Sequence, residues 1–388
     1  MRDIGVDPYG IRIMSPKAMH YLVKINSLSN ITANILKQEM LSLGADVAVS
    51  RGALTGQVKQ TDCLLMGNLS QFCQLSQKLL KQPFGLNKLA RALNLNLKNY
   101  RRDNFVLDLG RFKLNLGLRA HIMGIMNITP DSFSGDGLYE PKNRKTKELE
   151  DNIFSYARQL VRDGADIIDV GGESTRPGAR AVSAKEELSR VIPVIKRLAK
   201  SIGKPISIDT CKPQVAEQAL DCGAAIVNDI TGLKNPGMAK IAAKYKAGVV
   251  VMHMKGTPRT MQKNPRYGCL LGEITEFLQN AIARSEQAGV DREKIIIDPG
   301  IGFGKSYGHN LEILKNLDTF KVLGRPILVG VSRKSFLGKI LRSAPQERVF
   351  GTVSGSLAAV ANGARIVRVH DVKAVKQALR VFEEIEKI

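Results

Sequence analysis

The sequence predicts an α/β fold, a (β/α)8 or TIM barrel preceded by a small α+β N-terminal domain, and three observations carry that expectation. Between His121 and His370 a short β-branched or aliphatic run stops eight times on a polar residue or a Gly-rich turn, and a helical pattern follows. The stops are at Asn127, Glu173, Asp209, Asn228, His253, Asp298, Ser332 and His370. The chain has 388 residues, and a barrel of about 250 leaves room for a second, smaller domain. Residues 20–97 follow a different rhythm, with short strand-like and helical runs that form a small βαββαα unit. In a (β/α)8 barrel the strand C-terminal ends share one face, where active sites form.

Taken in order, Tyr21–Ile25 reads as a strand, and Asn30–Ser42 has helical periodicity closed by Gly44. Asp46–Ser50 and Cys63–Met66 are strand-like, and Leu69–Lys81 and Leu86–Leu95 are helical, separated by Pro83 and Gly85. This βαββαα unit shows no catalytic motif, since its one histidine, His20, is isolated. Its simplest role is packing or dimerisation, with ligand or RNA contact as alternatives. Residues 98–118, with Arg101, Arg102, Arg111 and Lys113, read as a polar connector and hairpin at the barrel floor, so the domains are drawn as 1–118 and 119–388. The barrel strands are expected at 121–126, 165–170, 205–208, 224–228, 247–251, 294–297, 326–330 and 364–369, with longer loops after the first, second and fifth.

Composition narrows the classes of function. Fifty-eight Lys and Arg against 36 Asp and Glu give a net charge of +22, spread along the chain: residues 1–117 hold 16 basic and 7 acidic side chains. A nucleic-acid binder concentrates such charge beside stacking aromatics; here aromatics are 5% and Trp is absent. The charge is read as solvated surface that favours small anions, with no nucleic-acid partner expected. The five cysteines form no CxxC pair and are odd in number, which points to reduced, mostly buried thiols. The first ten residues, MRDIGVDPYG, lack an apolar leader and no apolar run nears 18 residues, so a cytoplasmic protein without membrane contact is expected.

The chemistry gathers at the strand ends. MGIMNITPDSFSGDG, residues 123–137, places Asn127 and Asp131 at the base of a turn-rich loop. DVGGESTRPGA, residues 169–179, offers Glu173, Ser174, Thr175 and Arg176 beside paired glycines, a composition suited to an anion. Asp209, Asn228 and Asp298 end strands three, four and six, and together they suit a flat heterocycle rich in N–H donors; helix N-capping is the competing account, above all for Asp209 before Thr210. IDPGIGFGKS, residues 297–306, resembles a P-loop but misses its spacing, because the first glycine falls on Pro299. VGVSRKSFLG, residues 329–338, opens a helix with Arg333, Lys334 and Ser335. In RVHD, residues 368–371, alternation puts Arg368 and His370 on one side of the strand. A structural Arg–His pair competes there with a phosphate site, which barrels often carry near strands seven and eight.

These motifs, with VMHMKGTP and SRKSF, resemble the dihydropteroate synthase family over about residues 119–388. The resemblance implies a transferase of folate biosynthesis. It would condense 6-hydroxymethyl-7,8-dihydropterin diphosphate with 4-aminobenzoate, work as a homodimer with Mg2+ and be a target of sulfonamides. It also implies that Asp209, Asn228, Asp298, Lys334 and Arg368 bind the pterin, and that Asn127, Thr175, Arg368 and His370 hold the diphosphate. Asn127 would also reach the metal, and Phe133, Arg176, Pro177, Phe303, Lys334 and Ser335 would frame the aminobenzoate. Asn127, Thr175, Lys334, Arg368 and His370 are the expected catalytic set. A methyltetrahydrofolate:corrinoid methyltransferase and a silent pterin-binding scaffold are the rival readings. The first needs no diphosphate cradle and the second predicts lost site residues. The N-terminal domain departs from the common family pattern, and its role is not legible.

Overall fold

Runs such as IIDV, ISID, IVND, GVVVM and IIID are apolar on both faces, which commits them to the interior of a parallel sheet covered by helices. The computed structural model describes residues 1–117, 119–129, 146–174 and 182–386, without the side chains of 146–150. It forms two compact units, Met1–Lys98 and Asn99–Ile388.

In the first unit, α1 (Pro8–Ala18), β1 (His20–Ser29), α2 (Asn30–Leu41), β2 (Asp46–Val49), α3 (Arg51–Leu54), β3 (Gln60–Asn68), α4 (Leu69–Leu79) and α5 (Leu86–Tyr100) follow in order. The sheet is antiparallel with order β1-β3-β2, and Ile25 stands opposite Cys63. Its core is Leu36, Met40, Val47, Leu65, Phe72, Leu75, Leu79, Leu86, Ala90 and Leu93. Asn68 and Gln71 form a reciprocal capping box that starts α4. The expected βαββαα order is present, with two additions. Helix α1 starts at Pro8, and Asp7 accepts from Tyr9 N–H at 2.7 Å; the Asp-Pro start signal was in the sequence, but Pro16 and the absence of a buried face obscured it. The four-residue α3 is too short to have a period.

The second unit opens with a hairpin, β4 (Phe105–Asp108) and β5 (Lys113–Leu116). Phe105, Leu107 and Leu116 join Met123, Ile167, Ile226, Val250, Ile296, Leu328 and Ile366 in one cluster, so the hairpin closes the barrel floor and segregates with the barrel. The barrel itself runs β6 (His121–Asn127), α6 (Thr146–Arg162), β7 (Ile167–Gly171), α7 (Ala184–Ala199), β8 (Ile206–Asp209), α8 (Pro213–Asp221), β9 (Ile226–Asp229) and α9 (Pro236–Lys244) through its first half. The second half is β10 (Gly248–Met252), α10 (Leu270–Gln287), β11 (Ile295–Asp298), α11 (Tyr307–Lys315), β12 (Ile327–Val329), α12 (Ser335–Leu341), α13 (Val349–Ala361), β13 (Ala364–Val369) and α14 (Val372–Ile385). The eight strands β6 to β13 are parallel and close in sequence order, with β13 beside β6.

Period-two alternation turns that apolar inner layer into a site. Two residues beyond the inward Ile167, Ile226, Ile296 and Ile366 come Asp169, Asn228, Asp298 and Arg368, and Asp209 is the register partner of Asn228. Val367 and Val369 instead join the outer core under the helices, which bears out the alternation expected for strand eight.

One expectation needs correction. The cysteines are free, but only Cys63 is buried; Cys211 and Cys222 are half-buried and Cys73 and Cys269 are exposed, because the latter two sit on polar helix surfaces and loops that periodicity alone did not separate from the core. Among the described residues no helix is long and apolar enough to cross a membrane.

Below the inner layer, His121 is buried, and its Nδ1 has no partner among the described residues. Beside it Arg119 donates to both oxygens of Asp166, which also accepts from Ile122 N–H. Burial opposes the Asp166 charge, yet these bonds outweigh it and hold the carboxyl below its ordinary range. Burial also lowers His121 to about 4. The folded protein therefore keeps His121 neutral, while the unfolded chain takes up a proton below pH of about 6.5, so this contribution is present above that pH and is lost as pH falls toward 4. Urea unfolding at pH 7.5 and pH 5 should show a pH-dependent loss that is smaller in His121→Phe than in the parent by about 2 kcal/mol; equal losses in the two proteins would contradict the buried neutral histidine.

Candidate active site

At the mouth of the barrel the inward row of polar side chains forms one connected network. Arg368, at the end of β13, donates from Nε to Asp169 Oδ2 at 2.6 Å and from Nη2 to Asp209 Oδ2 at 2.7 Å. Asn228 Nδ2 donates to the same Asp169 oxygen at 3.2 Å. Burial pushes Asp209 up to about 7, against the pull of Arg368. The helix-capping account of Asp209 fails, because α8 is preceded by Lys212 with no side-chain cap. The turn-closing carboxylate is its neighbour Asp229, which accepts from Thr231 and Leu233 N–H.

Across the mouth, Asp298 Oδ1 accepts from Gly300 N–H at 2.7 Å and lies in the field of Lys334. Burial raises the Asp298 carboxyl and lowers the Lys334 ammonium to about 8, with Asp298 opposing the latter shift. Lys334 donates to Ile301 O and stands 4.8 Å from the centroid of Phe303. A Cβ added at Gly330 would lie 3.8 Å from Lys334 Nζ and 3.7 Å from Arg368 Cβ, ordinary contacts that show both side chains passing close to this strand end. A Cβ at Gly171 would likewise lie 3.5 Å from Asn127 Oδ1 and 3.6 Å from Asp209 Cβ.

His370 follows Arg368 by two residues. Its backbone N–H donates to Ser332 Oγ at 3.1 Å, and the Ser332 hydroxyl sits 3.0 Å from Nδ1. These two contacts fix the imidazole through its Nδ1 edge and leave Nε2 as the other ring nitrogen. Arg333, in the left-handed region at φ 56°, pairs with Asp371 at 2.6 Å and ties the two loops together. Ser335 is exposed at the start of α12. The expected residues Asp131, Phe133, Thr175, Arg176 and Pro177 lie outside the described residues.

The structure thus brings together Asn127, Asp209, Asn228, Asp298, Phe303, Lys334 and Arg368, with His370 beside them. Sequence reasoning missed three supporting groups. Asp169 sits inside DVGGEST, where the glycines and hydroxyls drew attention; its place two residues after an inward Ile167 was the available signal. Lys305 is the lysine of the false P-loop: its Nζ is hydrogen-bonded to His253 Nδ1 at 2.9 Å and donates to Phe303 O at 3.0 Å. That bond accounts for His253, which packs edge-on against Phe277 at 4.9 Å and is held neutral by burial and then by Lys305. Lys212 bridges Glu173 and the buried Glu187, each at 2.5 Å, and Glu173 also accepts from Val182 N–H at 3.0 Å.

For a metal, no group of three or more His, Cys, Asp or Glu stands ready among the described residues. Asn127 supplies one neutral oxygen, which fits an ion such as Mg2+ only if phosphate oxygens and water complete its shell. A cavity of about 520 Å3 opens at the opposite, floor end, yet its charges are largely spent on each other, Lys321 and Arg365 both on Asp103.

The Lys212 bridge makes a stability prediction. Removing the cation strands the Glu187 carboxylate, which is 0% exposed, and breaking a buried pair in this way costs about 3 kcal/mol. Lys212→Met should lower the unfolding free energy by that order, and adding Glu187→Met should recover part of it. A double variant no more stable than Lys212→Met alone would sink this account.

Comparisons with known proteins bear on the chain and its fold as a whole. Residues 123–370 match the family model described as pterin binding enzyme. Dihydropteroate synthase of Escherichia coli strain K12 is 46% identical over 263 residues, covering 68% of this chain and 90% of that protein. A probable bifunctional folylpolyglutamate synthase/dihydropteroate synthase of Halobacterium salinarum is 40% identical over 381 residues, 97% of this chain but 44% of that longer protein. Among solved structures, Xanthomonas albilineans dihydropteroate synthase with 4-aminobenzoic acid superposes with TM-score 0.67 at 40% identity, over 74% of this chain and 99% of that one. With a closed barrel, a polar mouth, and the E. coli and Xanthomonas proteins matched over 90% and 99% of their lengths, this chain belongs to the dihydropteroate synthase family.

Proposed function

We propose that the barrel condenses 6-hydroxymethyl-7,8-dihydropterin diphosphate with 4-aminobenzoate, giving 7,8-dihydropteroate and diphosphate. The observation that carries the reading is Arg368 suspended between two buried carboxylates, with Asp298 and Lys334 facing it across the mouth. Carboxylates at Asp209 and Asp298 and the amide of Asn228 accept from a ring edge rich in N–H groups, and Lys334 and the Arg368 plane cover its face.

Departure of diphosphate from the pterin methylene separates an anion from a cation. Arg368 on β13 and His370 just beyond its end meet the anion, with Thr175 the further expected contact. Asp209 and Asp298 favour the positive ring. Asn127 would hold Mg2+, which when bound draws charge from the leaving diphosphate. No side-chain nucleophile enters, because the aminobenzoate amine attacks carbon and loses its proton. Phe303, Lys334 and Ser335, with Phe133, Arg176 and Pro177, are the proposed frame of that second substrate. In the Xanthomonas structure the bound molecule is 4-aminobenzoic acid itself. A cytoplasmic location and a homodimer are part of the same reading, and Phe350, 82% exposed on α13, with Val381 and Ile385 on α14, offers apolar surface that a second copy would cover.

Diphosphate release should require both substrates and be blocked by a sulfonamide competing with 4-aminobenzoate; folded protein without such turnover would defeat the proposal. In the active enzyme Asp298→Asn is expected to raise the pterin KM about tenfold or more, and His370→Ala to lower kcat by roughly a hundredfold. Unchanged constants in either variant would remove that residue from its role.

A further inference from the structure

We infer that Asp169 is a positioning residue of the ring site: it anchors Arg368 so that Asp209, which shares the same guanidinium, can turn its carboxylate to the pterin. The inference rests on the reading above, in which Asp209 and Arg368 meet the ring. The two carboxylates reach Arg368 through different nitrogens, Asp169 through Nε and Asp209 through Nη2. They also differ in depth. Asp169 is 0% exposed, its Oδ1 has no partner among the described residues, and its register partner on β8, Ser207, is sealed beside it with Oγ in the same condition. Asp209 stands two residues farther up β8, at the mouth, and is 8% exposed.

A ring entering the mouth therefore meets Asp209, while Asp169 lies behind Arg368. Arg368 donates to the Oδ2 of Asp209, an oxygen that a two-pronged N–H edge would also use. A guanidinium held by one carboxylate alone would retain it, because release in a dry site leaves a permanent cation uncompensated. With Asp169 fixed on Nε, the Nη2 bond is exchangeable and the charge stays paired throughout. Asn228 Nδ2 also donates to the Asp169 carboxylate, a bond that the amide oxygen of Asp169→Asn can still accept, so that substitution isolates the link to Arg368.

Asp169→Asn preserves shape and removes the charge, and it can be compared with the parent by steady-state kinetics on the full chain. The pterin diphosphate KM is expected to rise about tenfold or more while the 4-aminobenzoate KM stays within about twofold. Because Asp169 acts through Arg368, the same substitution in an Arg368→Met background should change the pterin KM by less than about twofold. That double variant also keeps the comparison available if Asp169→Asn alone fails to fold, since it leaves no guanidinium short of a partner. A pterin KM unmoved by Asp169→Asn overturns the inference, as does a full tenfold loss in the Arg368→Met background, which would make Asp169 a ring contact or a general element of the fold. A parent enzyme that forms no dihydropteroate would defeat the functional reading instead, so the two failures are distinguishable.

Discussion

The mouth of the barrel is organised around one cation that cannot be neutralised. Arg368 keeps its charge at any physiological pH, and its side chain is only 21% exposed, so the surrounding strands must supply negative charge at the right place. They do so from β7 and β8, through Asp169 and Asp209. The demand is mutual, because burial raises Asp209 and only the nearby guanidinium restrains it. Parallel strands in a closed barrel have no free edge along which to slip, so this arrangement is fixed before any substrate arrives. Such preorganisation is what makes dipoles and charges effective when charge develops in a reaction. Asp298 and Lys334 repeat the same balance on the other side, each shifted by burial and restrained by the other.

Around this centre a second set of contacts joins neighbouring strand ends in pairs. Lys305 binds the loop after β11 to His253 after β10, Lys212 joins the loop after β8 to Glu173 after β7, and Arg333 with Ser332 joins the loop after β12 to Asp371 and His370. Loops on a barrel face are otherwise the part of the fold with most freedom. Cross-links between adjacent loops give a site built on loops some of the precision of one built on strands.

The N-terminal unit has a different physical basis, an antiparallel sheet with its own apolar core, and it lacks the convergence of charged groups found in the barrel mouth. The similarity findings mirror this division. The E. coli relative aligns with 68% of this chain, whereas the H. salinarum relative aligns with 97% of it. The extra unit is thus shared with at least one protein that also carries the barrel.

Reading the sequence by period recovered the eight barrel strands to within about two residues at their ends, because strands buried on both faces announce themselves as apolar runs that need no partner to be recognised. It also found the residues that end those runs, including Asp209, Asn228, Asp298 and Arg368, since polar groups at the end of an apolar strand stand out locally. What it could not show was pairing between residues far apart in the chain. Asp169 and Arg368 lie 199 positions apart, and His253 and Lys305 52 apart. His253 therefore had no assignable role and Asp169 was passed over. The amino-acid order alone determined the barrel, the face that bears the site and the chemical character of its side chains, all of which follow from local alternation. Only the tertiary structure decided which charge answers which, because closure of the sheet, and nothing in the local pattern, brings β13 back beside β6 and within reach of β7 and β8.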